Sequence, residues 1–232
     1  MKKRLSRRAL LSLAPAVLAG AAAAPPFRDR FLAAGGALND FLSALDFGSG
    51  RLALEYEDAE LTPLERFPLN SYDRHEPEFD PASWQLRVEG CVARPGDYSL
   101  SDIMTLFRRR QNVRHICIEG WSVVGAFGGA QLEDVLRFVG ADLTAPFVEV
   151  TCLDDYYTSF DMASCLHPQT LLCDEMYGKP LTRGHGAPLR MHMPTKLGYK
   201  SAKYLSSLRV TRERPRYRGL WEDQGYPWHA GL

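Results

Sequence analysis

The sequence predicts a single domain that contains both strands and helices. The chain has 232 residues, 45% hydrophobic and 24% charged, which is an ordinary globular composition with enough length for a sizeable core. Residues 84–90 alternate between apolar and polar side chains, and 147–152 form a short β-branched and aromatic run, so both segments are predicted as strands. In contrast, apolar residues recur at helical spacing over 132–139, just before Gly140.

Further elements follow from local signals. Residues 99–104 begin with serine and carry Asp102 three positions later, which predicts a capped helix start. Residues 160–166 are predicted as a helix or turn, and 169–174 as a strand that leads to a turn at 177–180.

Cys117 is the most informative single residue. In a period of two, typical of a strand, Val113, His115 and Cys117 alternate with Arg114, Ile116 and Ile118, and glycines at 120, 125, 128 and 129 are expected to interrupt any regular element after it. Cys117 is therefore predicted at a strand end that opens into a loop. A thiolate there is a soft ligand for a transition metal. A buried, inert cysteine is the alternative, since free cysteine is among the most buried residue types.

The other cysteines and the charge exclude several classes of protein. The five cysteines show no spacing typical of haem attachment, zinc or an iron–sulfur cluster. Cys165 and Cys173 are expected either to form a disulfide or to remain buried thiols. Five basic residues lie in the first eight positions; without them, 23 basic residues face 28 acidic ones, a net charge near −5. This balance gives no excess of positive charge of the kind that binds nucleic acid.

The N-terminal part divides into two segments. Residues 1–24 combine a basic start, the Arg7-Arg8 pair and an apolar run rich in alanine, which predicts a twin-arginine signal and periplasmic localisation. An ordinary export signal or a short anchor is the alternative. Residues 25–66 are predicted as a lead-in helix and linker. Their apolar stripe is expected to face the core, with a partner surface as the alternative, and comprises Phe27, Phe31, Leu38, Phe41, Leu42 and Leu45.

Several motifs together resemble a known family. The segment 114–122 reads RHICIEGWS, and it is followed by LHPQTL at 166–171, YGKPL at 177–181, GAPLR at 186–190, KLGYK at 196–200 and TRERP at 211–215. In order and spacing these blocks resemble the oxidoreductase molybdopterin-binding family of sulfite-oxidase-like molybdenum proteins. The resemblance runs from about residue 70 to 215. Within the family, the Cys117 segment is most similar to the members that reduce methionine sulfoxide.

The resemblance implies an α+β, β-rich, sulfite-oxidase-type fold, with a catalytic domain at 67–215 and a tail at 216–232. It also implies a molybdenum–molybdopterin cofactor. Cys117 is then the catalytic residue and the molybdenum ligand. Cys152 stands where the relatives have a threonine that contacts the pterin. The cofactor-binding residues implied by the resemblance are Asn70, Tyr72, His75, Cys117, Cys152, His185, Arg190, Ser201, Ala202 and Lys203.

The function implied is oxygen-atom transfer. Sulfite oxidases carry arginines just after the metal cysteine, whereas this chain has Glu119, Trp121 and Ser122, which favours a neutral sulfoxide, small or protein-bound, over sulfite. Because the sequence has no haem-attachment motif, iron–sulfur spacing or dinucleotide fingerprint, we expect a membrane haem-containing partner to supply electrons. The tail either docks that partner or packs back on the core. Aromatic residues that either shape the substrate wall or belong to the core are Trp121, Phe127, Tyr156 and Tyr157.

Three alternatives to sulfoxide reduction remain open from sequence. They are a sulfite-oxidase-like enzyme, a molybdopterin-binding protein without turnover, and a cysteine hydrolase that pairs Cys117 with His115 or His167. The hydrolase leaves the block around Arg190 and Lys203 unexplained.

Overall fold

In the computed structural model, the described residues are 50–72, 76–215 and 217–232, with positions 30, 34, 35 and 38. The predicted signal segment 1–24 and His75 lie outside them, as does most of the predicted lead-in helix. Leu38, the described residue of its apolar stripe, is helical and 57% exposed. At this position the prediction of a core-facing stripe is wrong.

Two β-sheets dominate the described residues. Their strands are β1 Gln85–Gly90, β2 Gly96–Ser99, β3 Arg108–Ile116, β4 Ser122–Gln131, β5 Phe147–Cys152, β6 Tyr157–Asp161, β7 Leu171–Met176, β8 Lys179–Pro180, β9 Arg190–His192 and β10 Leu205–Thr211.

One sheet has the order β2-β1-β10-β5-β6, and the other runs β3-β4-β7-β8 with β9 also paired to β7. All pairs are antiparallel except β1 with β10. The main core includes the inward faces of β1, β5 and β10, and a smaller cluster around Phe67, Val113 and Phe127 lies under the second sheet. The α+β, β-rich prediction is confirmed.

Three short α-helices connect the strands: α1 Leu100–Met104, α2 Leu132–Phe138 and α3 Met162–Cys165. The Ser99 side chain caps α1 by accepting a hydrogen bond from the Asp102 amide, as the sequence predicts. Gly140, with φ of +66°, follows the end of α2. The hairpin turn at Tyr177 and Gly178 is also confirmed, with positive φ at both residues.

Gly120 lies in the turn between β3 and β4, as predicted. For Gly125, Gly128 and Gly129 the prediction that glycine interrupts a regular element is wrong, because all three lie within β4. These three glycines are there because neighbouring groups leave no room for a side chain. A β-carbon at Gly129 would clash with the Leu172 carbonyl of β7, and one at Gly125 would lie 2.8 Å from the Phe67 ring. Sheet packing decides these positions.

Residues 50–66 lie along β3 and β4. They form two 3₁₀ turns, Asp58–Glu60 and Leu64–Arg66, and the Tyr56 amide donates to the Asn112 carbonyl at 2.9 Å. The described part of the predicted linker therefore packs on the second sheet.

The segment 217–232 also packs back on the domain, which is one of the two alternatives considered from sequence. Lys200 forms a fully buried ion pair with Glu222. The Trp228 indole donates to the Ser159 hydroxyl at 2.9 Å, and the Leu197 amide donates to the Ala230 carbonyl at 2.9 Å. These contacts make the tail part of the same folded unit.

No disulfide is formed among the described residues. Cys165 and Cys173 are both free and buried, so the disulfide considered from sequence is absent. Among the described residues there is also no helix with the length and apolar character needed to cross a membrane.

Candidate functional site

A cavity of about 450 Å³ gathers most of the residues singled out from sequence. Its walls come from segments that lie far apart in the chain and meet where loops leave both sheets. The predicted site residues that line it are Asn70, Tyr72, Cys117, His185, Arg190, Ser201, Ala202 and Lys203.

Cys117 lies directly after β3, at a tight turn that presents the thiol to the cavity. The Cys117 amide donates to the Trp121 carbonyl at 3.0 Å, and the Gly120 amide donates back to the Cys117 carbonyl at 3.2 Å. Gly120 has φ of +91°, a conformation that glycine adopts without strain. Burial raises the pKa of the Cys117 thiol, and the nearby Glu119 carboxylate raises it further. A bound metal cation would reverse this and favour the thiolate.

A carboxylate and an amide flank the thiol. The Asn70 side-chain nitrogen lies 3.9 Å from the Cys117 sulfur and also donates to Glu119. The Trp121 indole donates to the same Glu119 carboxylate at 3.0 Å. These two donors hold Glu119 beside Cys117 and lower the pKa of its carboxyl. The surface next to the thiol therefore carries a negative charge.

Arg190 provides a buried positive charge deeper in the cavity. It is 3% exposed, and its guanidinium donates to the carbonyl oxygens of His185 at 2.9 Å and Ser201 at 3.5 Å. Its Nε has no hydrogen-bond partner among the described residues. Burial lowers the pKa of Arg190. A buried cation without a carboxylate partner is an incomplete arrangement that an anion would complete.

Lys203 adds a second cation to this end of the cavity. Its ammonium donates to the carbonyl oxygens of Asn70 and Gly184. Burial and the charge of Arg190 lower the pKa of Lys203 to about 7. Gly186, with φ of +100°, lies so close that a β-carbon there would be 2.9 Å from the Lys203 side chain. Burial, with Arg190 and Lys203, also lowers the pKa of His185 to about 4.

Cys152, which the resemblance places in the cofactor site, does not line the cavity. Along β5, Val148, Val150 and Cys152 are buried in the main core while Thr151 is exposed. The alternation of a strand therefore points Cys152 away from the cavity. Asp154, two residues later, lines the wall instead.

Only two of the four aromatic residues proposed for the substrate wall are on it. Trp121 and Tyr156 line the cavity. Phe127 packs in the core against His192 at 3.6 Å between ring centroids, and the Tyr157 hydroxyl donates to Asp223 at 3.0 Å. Lining residues that sequence reasoning did not assign to the cavity include His115, Asp154, Tyr199, Trp221 and Tyr226. For Trp221 and Tyr226, the aromatic residues of the tail were the sequence feature that could have indicated a place in the cavity wall.

The geometry gives no support to a cysteine hydrolase. Among the described residues no hydrogen bond joins Cys117 to a histidine. His115 lines the cavity, but burial and the charges of Arg190 and Lys203 lower its pKa to about 3. His167 lies elsewhere, with its Nε2 3.1 Å from the Arg51 carbonyl oxygen. Neither histidine considered from sequence therefore forms a base–nucleophile pair with the thiol, as the predicted hydrolase requires.

The donor set fits a molybdopterin better. In the described ranges no group of three or more His, Cys, Asp or Glu residues could hold a metal ion. Cys117 offers one soft ligand, and the orphaned Arg190 Nε, with Lys203, offers charged donors for a phosphate. A molybdopterin supplies further ligands for the metal and carries a phosphate. Its metal would bind Cys117, and its phosphate would bind Arg190 and Lys203.

The fold and the site define a molybdopterin-binding oxidoreductase of the sulfite-oxidase type. The chain belongs to the family described as the oxidoreductase molybdopterin binding domain, whose model matches residues 74–221. This match confirms the resemblance noted in the sequence and extends it into the tail.

Individual relatives give a closer comparison. The chain is 44% identical over 187 residues to a protein of Azospira oryzae named "Putative protein-methionine-sulfoxide reductase subunit YedZ1", a match that covers 80% of this chain and 70% of the relative. It is 31% identical over 156 residues to the protein-methionine-sulfoxide reductase catalytic subunit of Xanthomonas campestris, which covers 60% of this chain. The chain spans about half of that relative, 48% of its length.

A solved structure shows the same fold. The sulfane dehydrogenase SoxCD from Paracoccus pantotrophus matches with a TM-score of 0.58 at 16% identity, over 73% of this chain and 52% of that one. At this identity the comparison concerns the fold alone.

Proposed function

We propose that this protein is a periplasmic enzyme that reduces a sulfoxide, of the kind found in oxidised methionine, with electrons from a membrane partner. The observation that carries the proposal is the pairing of a cavity-facing thiol, Cys117, with a neighbouring carboxylate, Glu119, where a sulfite-oxidising site needs a cation. The names of the relatives from Azospira and Xanthomonas support the choice of substrate.

The chemistry of the lining residues indicates which part of the cofactor each of them would bind. The Cys117 sulfur would ligate the molybdenum, and Arg190 and Lys203 would bind the phosphate through charge-assisted hydrogen bonds. His185, Ser201 and Ala202 form the adjoining wall. When bound, the molybdenum group supplies two-electron oxygen-atom transfer.

The outer cavity suits a neutral, partly apolar substrate. The aromatic side chains of Trp121, Tyr156, Trp221 and Tyr226 line it and would enclose an alkyl sulfoxide and exclude water. The cations of the cavity lining, Arg190 and Lys203, would bind the phosphate of the cofactor and so would not attract an anionic substrate. Glu119 repels an anion such as sulfite from the metal end.

Reduction of a sulfoxide to a thioether consumes two protons and two electrons and releases the oxygen as water. Asp154 is a candidate source of one proton, because it lines the cavity and burial raises the pKa of its carboxyl. A carboxyl of raised pKa retains its proton to higher pH than an exposed aspartate does.

Electron supply and export complete the proposal. A haem-containing membrane subunit would return two electrons per turnover, and the twin-arginine pair Arg7-Arg8 would direct the folded, cofactor-loaded protein to the periplasm. Fractionation of cells that express the wild type or an Arg7→Lys, Arg8→Lys double variant tests the route. Cytoplasmic retention of the wild type would contradict it. Turnover with NAD(P)H and no second protein would contradict the membrane partner.

Competition between substrates tests the reaction itself. Purified protein from a molybdenum-replete host, reduced by an artificial donor, should reduce methionine sulfoxide and show little sulfite oxidation. Glu119→Gln should shift the ratio of the two activities towards sulfite. Asp154→Asn should lower sulfoxide reduction most at low pH, where the wild-type carboxyl is protonated, and least at high pH, where it is ionised and cannot donate. Preferred sulfite oxidation by the wild type would favour the sulfite-oxidase alternative, and cofactor without either activity would favour a binding protein.

A further inference from the structure

His115 is a buried polar side chain on the cavity wall that the assignment above leaves without a role. It lies on β3, two residues before Cys117, and both residues border the same cavity. It is 8% exposed and lines the cavity. Its ring packs among Phe67 at 5.9 Å, Trp121 at 5.9 Å and His192 at 5.7 Å between centroids.

The ring of His115 has no hydrogen-bond partner in the part of the chain that the structure describes, although it is more than nine-tenths buried. Buried polar groups are usually hydrogen-bonded, and leaving one unpaired costs free energy. Gly198, another lining residue, lies in front of the ring, where a β-carbon would be 2.8 Å from the His115 Nε2. The absence of a side chain at Gly198 leaves this nitrogen open to the cavity.

The position of His115 indicates what it binds. Each ring nitrogen of an imidazole can donate or accept a hydrogen bond, depending on the tautomer, which suits the N–H and carbonyl groups of a heterocycle. Charged donors for a phosphate are already present in the cavity at Arg190 and Lys203. The exposed lining residues Tyr72 and Tyr226 mark the mouth, whereas His115 is buried and faces the deeper occupant.

We propose that His115 is a further cofactor-binding residue, whose ring nitrogen forms a hydrogen bond with an N–H or carbonyl group of the pterin heterocycle. The inference rests on the proposed cofactor site. His115 would then orient the pterin between the molybdenum end at Cys117 and the phosphate end at Arg190.

The test measures how fast the pterin leaves the purified holoenzyme. His115→Phe keeps an aromatic ring but removes both hydrogen-bonding atoms, and a lost hydrogen bond of ordinary strength should accelerate release about three- to tenfold. His115→Gln restores a donor and an acceptor and should recover part of the retention. His192→Phe is the matched control. Like His115, His192 is buried, and its ring nitrogens have no hydrogen-bond partner among the described residues. Unlike His115, His192 does not line the cavity.

Release is followed by the fluorescence of the oxidised pterin, and folding by the thermal midpoint of the cofactor-free proteins. Wild-type release from His115→Phe, or equal acceleration in His115→Phe and His192→Phe, would overturn the inference. If His115→Phe does not fold, His115→Met carries the same prediction. Wild-type protein that never contains pterin would instead overturn the proposed function, so the two failures are distinguishable.

Discussion

Replacing Arg190 with methionine is expected to lower the affinity for the cofactor and to maintain or raise the stability of the cofactor-free protein. In the folded protein, Arg190 is a buried cation that bonds only carbonyl oxygens among the described residues, with its Nε unpaired. Methionine has a similar length and no charge. The substitution should therefore weaken cofactor binding without weakening the cofactor-free fold.

The magnitudes follow from the two roles of the charge. A charge-assisted contact with a phosphate contributes roughly 1.5–3 kcal/mol, so its loss should lower cofactor affinity by about 10- to 150-fold. In the cofactor-free state, desolvation of an unpaired cation costs several kcal/mol, partly offset by the carbonyl contacts. The free energy of unfolding of the Arg190→Met protein is expected to change by about 0 to +2 kcal/mol.

Denaturant unfolding of the cofactor-free protein and titration with cofactor measure the two effects separately. Lys200→Met is the matched control, since Lys200 is a buried cation that has a carboxylate partner, Glu222. Removing the Lys200 charge leaves the Glu222 carboxylate buried without an ionic partner and should lower the free energy of unfolding by about 3–5 kcal/mol. The reasoning is refuted if Arg190→Met loses as much stability as Lys200→Met while cofactor affinity stays at the wild-type value.

Two further predictions concern pH and packing. Because the pKa of Lys203 is lowered to about 7, its charge is lost in the cofactor-free protein as pH rises through 7. The buried charge destabilises the cofactor-free fold below pH 7, and this effect fades as pH rises towards 10.5, the pKa of the unfolded chain. Cofactor affinity falls over the same range, because the neutral amine no longer attracts the phosphate. Lys203→Met should abolish this pH dependence of affinity, and a flat wild-type profile would contradict the assignment. Gly129→Ala should lower the free energy of unfolding by about 1–3 kcal/mol through its clash with β7, whereas Gly96→Ala, which has open space, should change it by less than about 1 kcal/mol; equal effects would refute the packing argument.

Local patterns predicted much of the secondary structure. The strand over 147–152 and the cap at Ser99 were correct because they depend on residues close in sequence. The glycines of β4 were misinterpreted because their cause is the approach of Leu172 and Phe67 from distant segments. Local patterns cannot reveal such tertiary contacts.

The site was predicted unevenly for a similar reason. The motifs around Cys117 and Arg190 indicated the cavity because both residue types carry distinctive chemistry. Cys152 was assigned to the site by its place in the motif alone, and a motif does not show which face of a strand borders a cavity. The tail packs through the Lys200–Glu222 pair, a long-range contact whose two members carry no local signal of each other.

X-ray absorption at the molybdenum edge of the purified protein tests the central claim most directly. The wild type should contain about one molybdenum per chain, and Cys117→Ser should show one fewer sulfur neighbour of the metal, with turnover lost and the fold retained. Sulfur coordination that is identical in the wild type and Cys117→Ser, with unchanged activity per molybdenum, would contradict the assignment of Cys117 as the metal ligand.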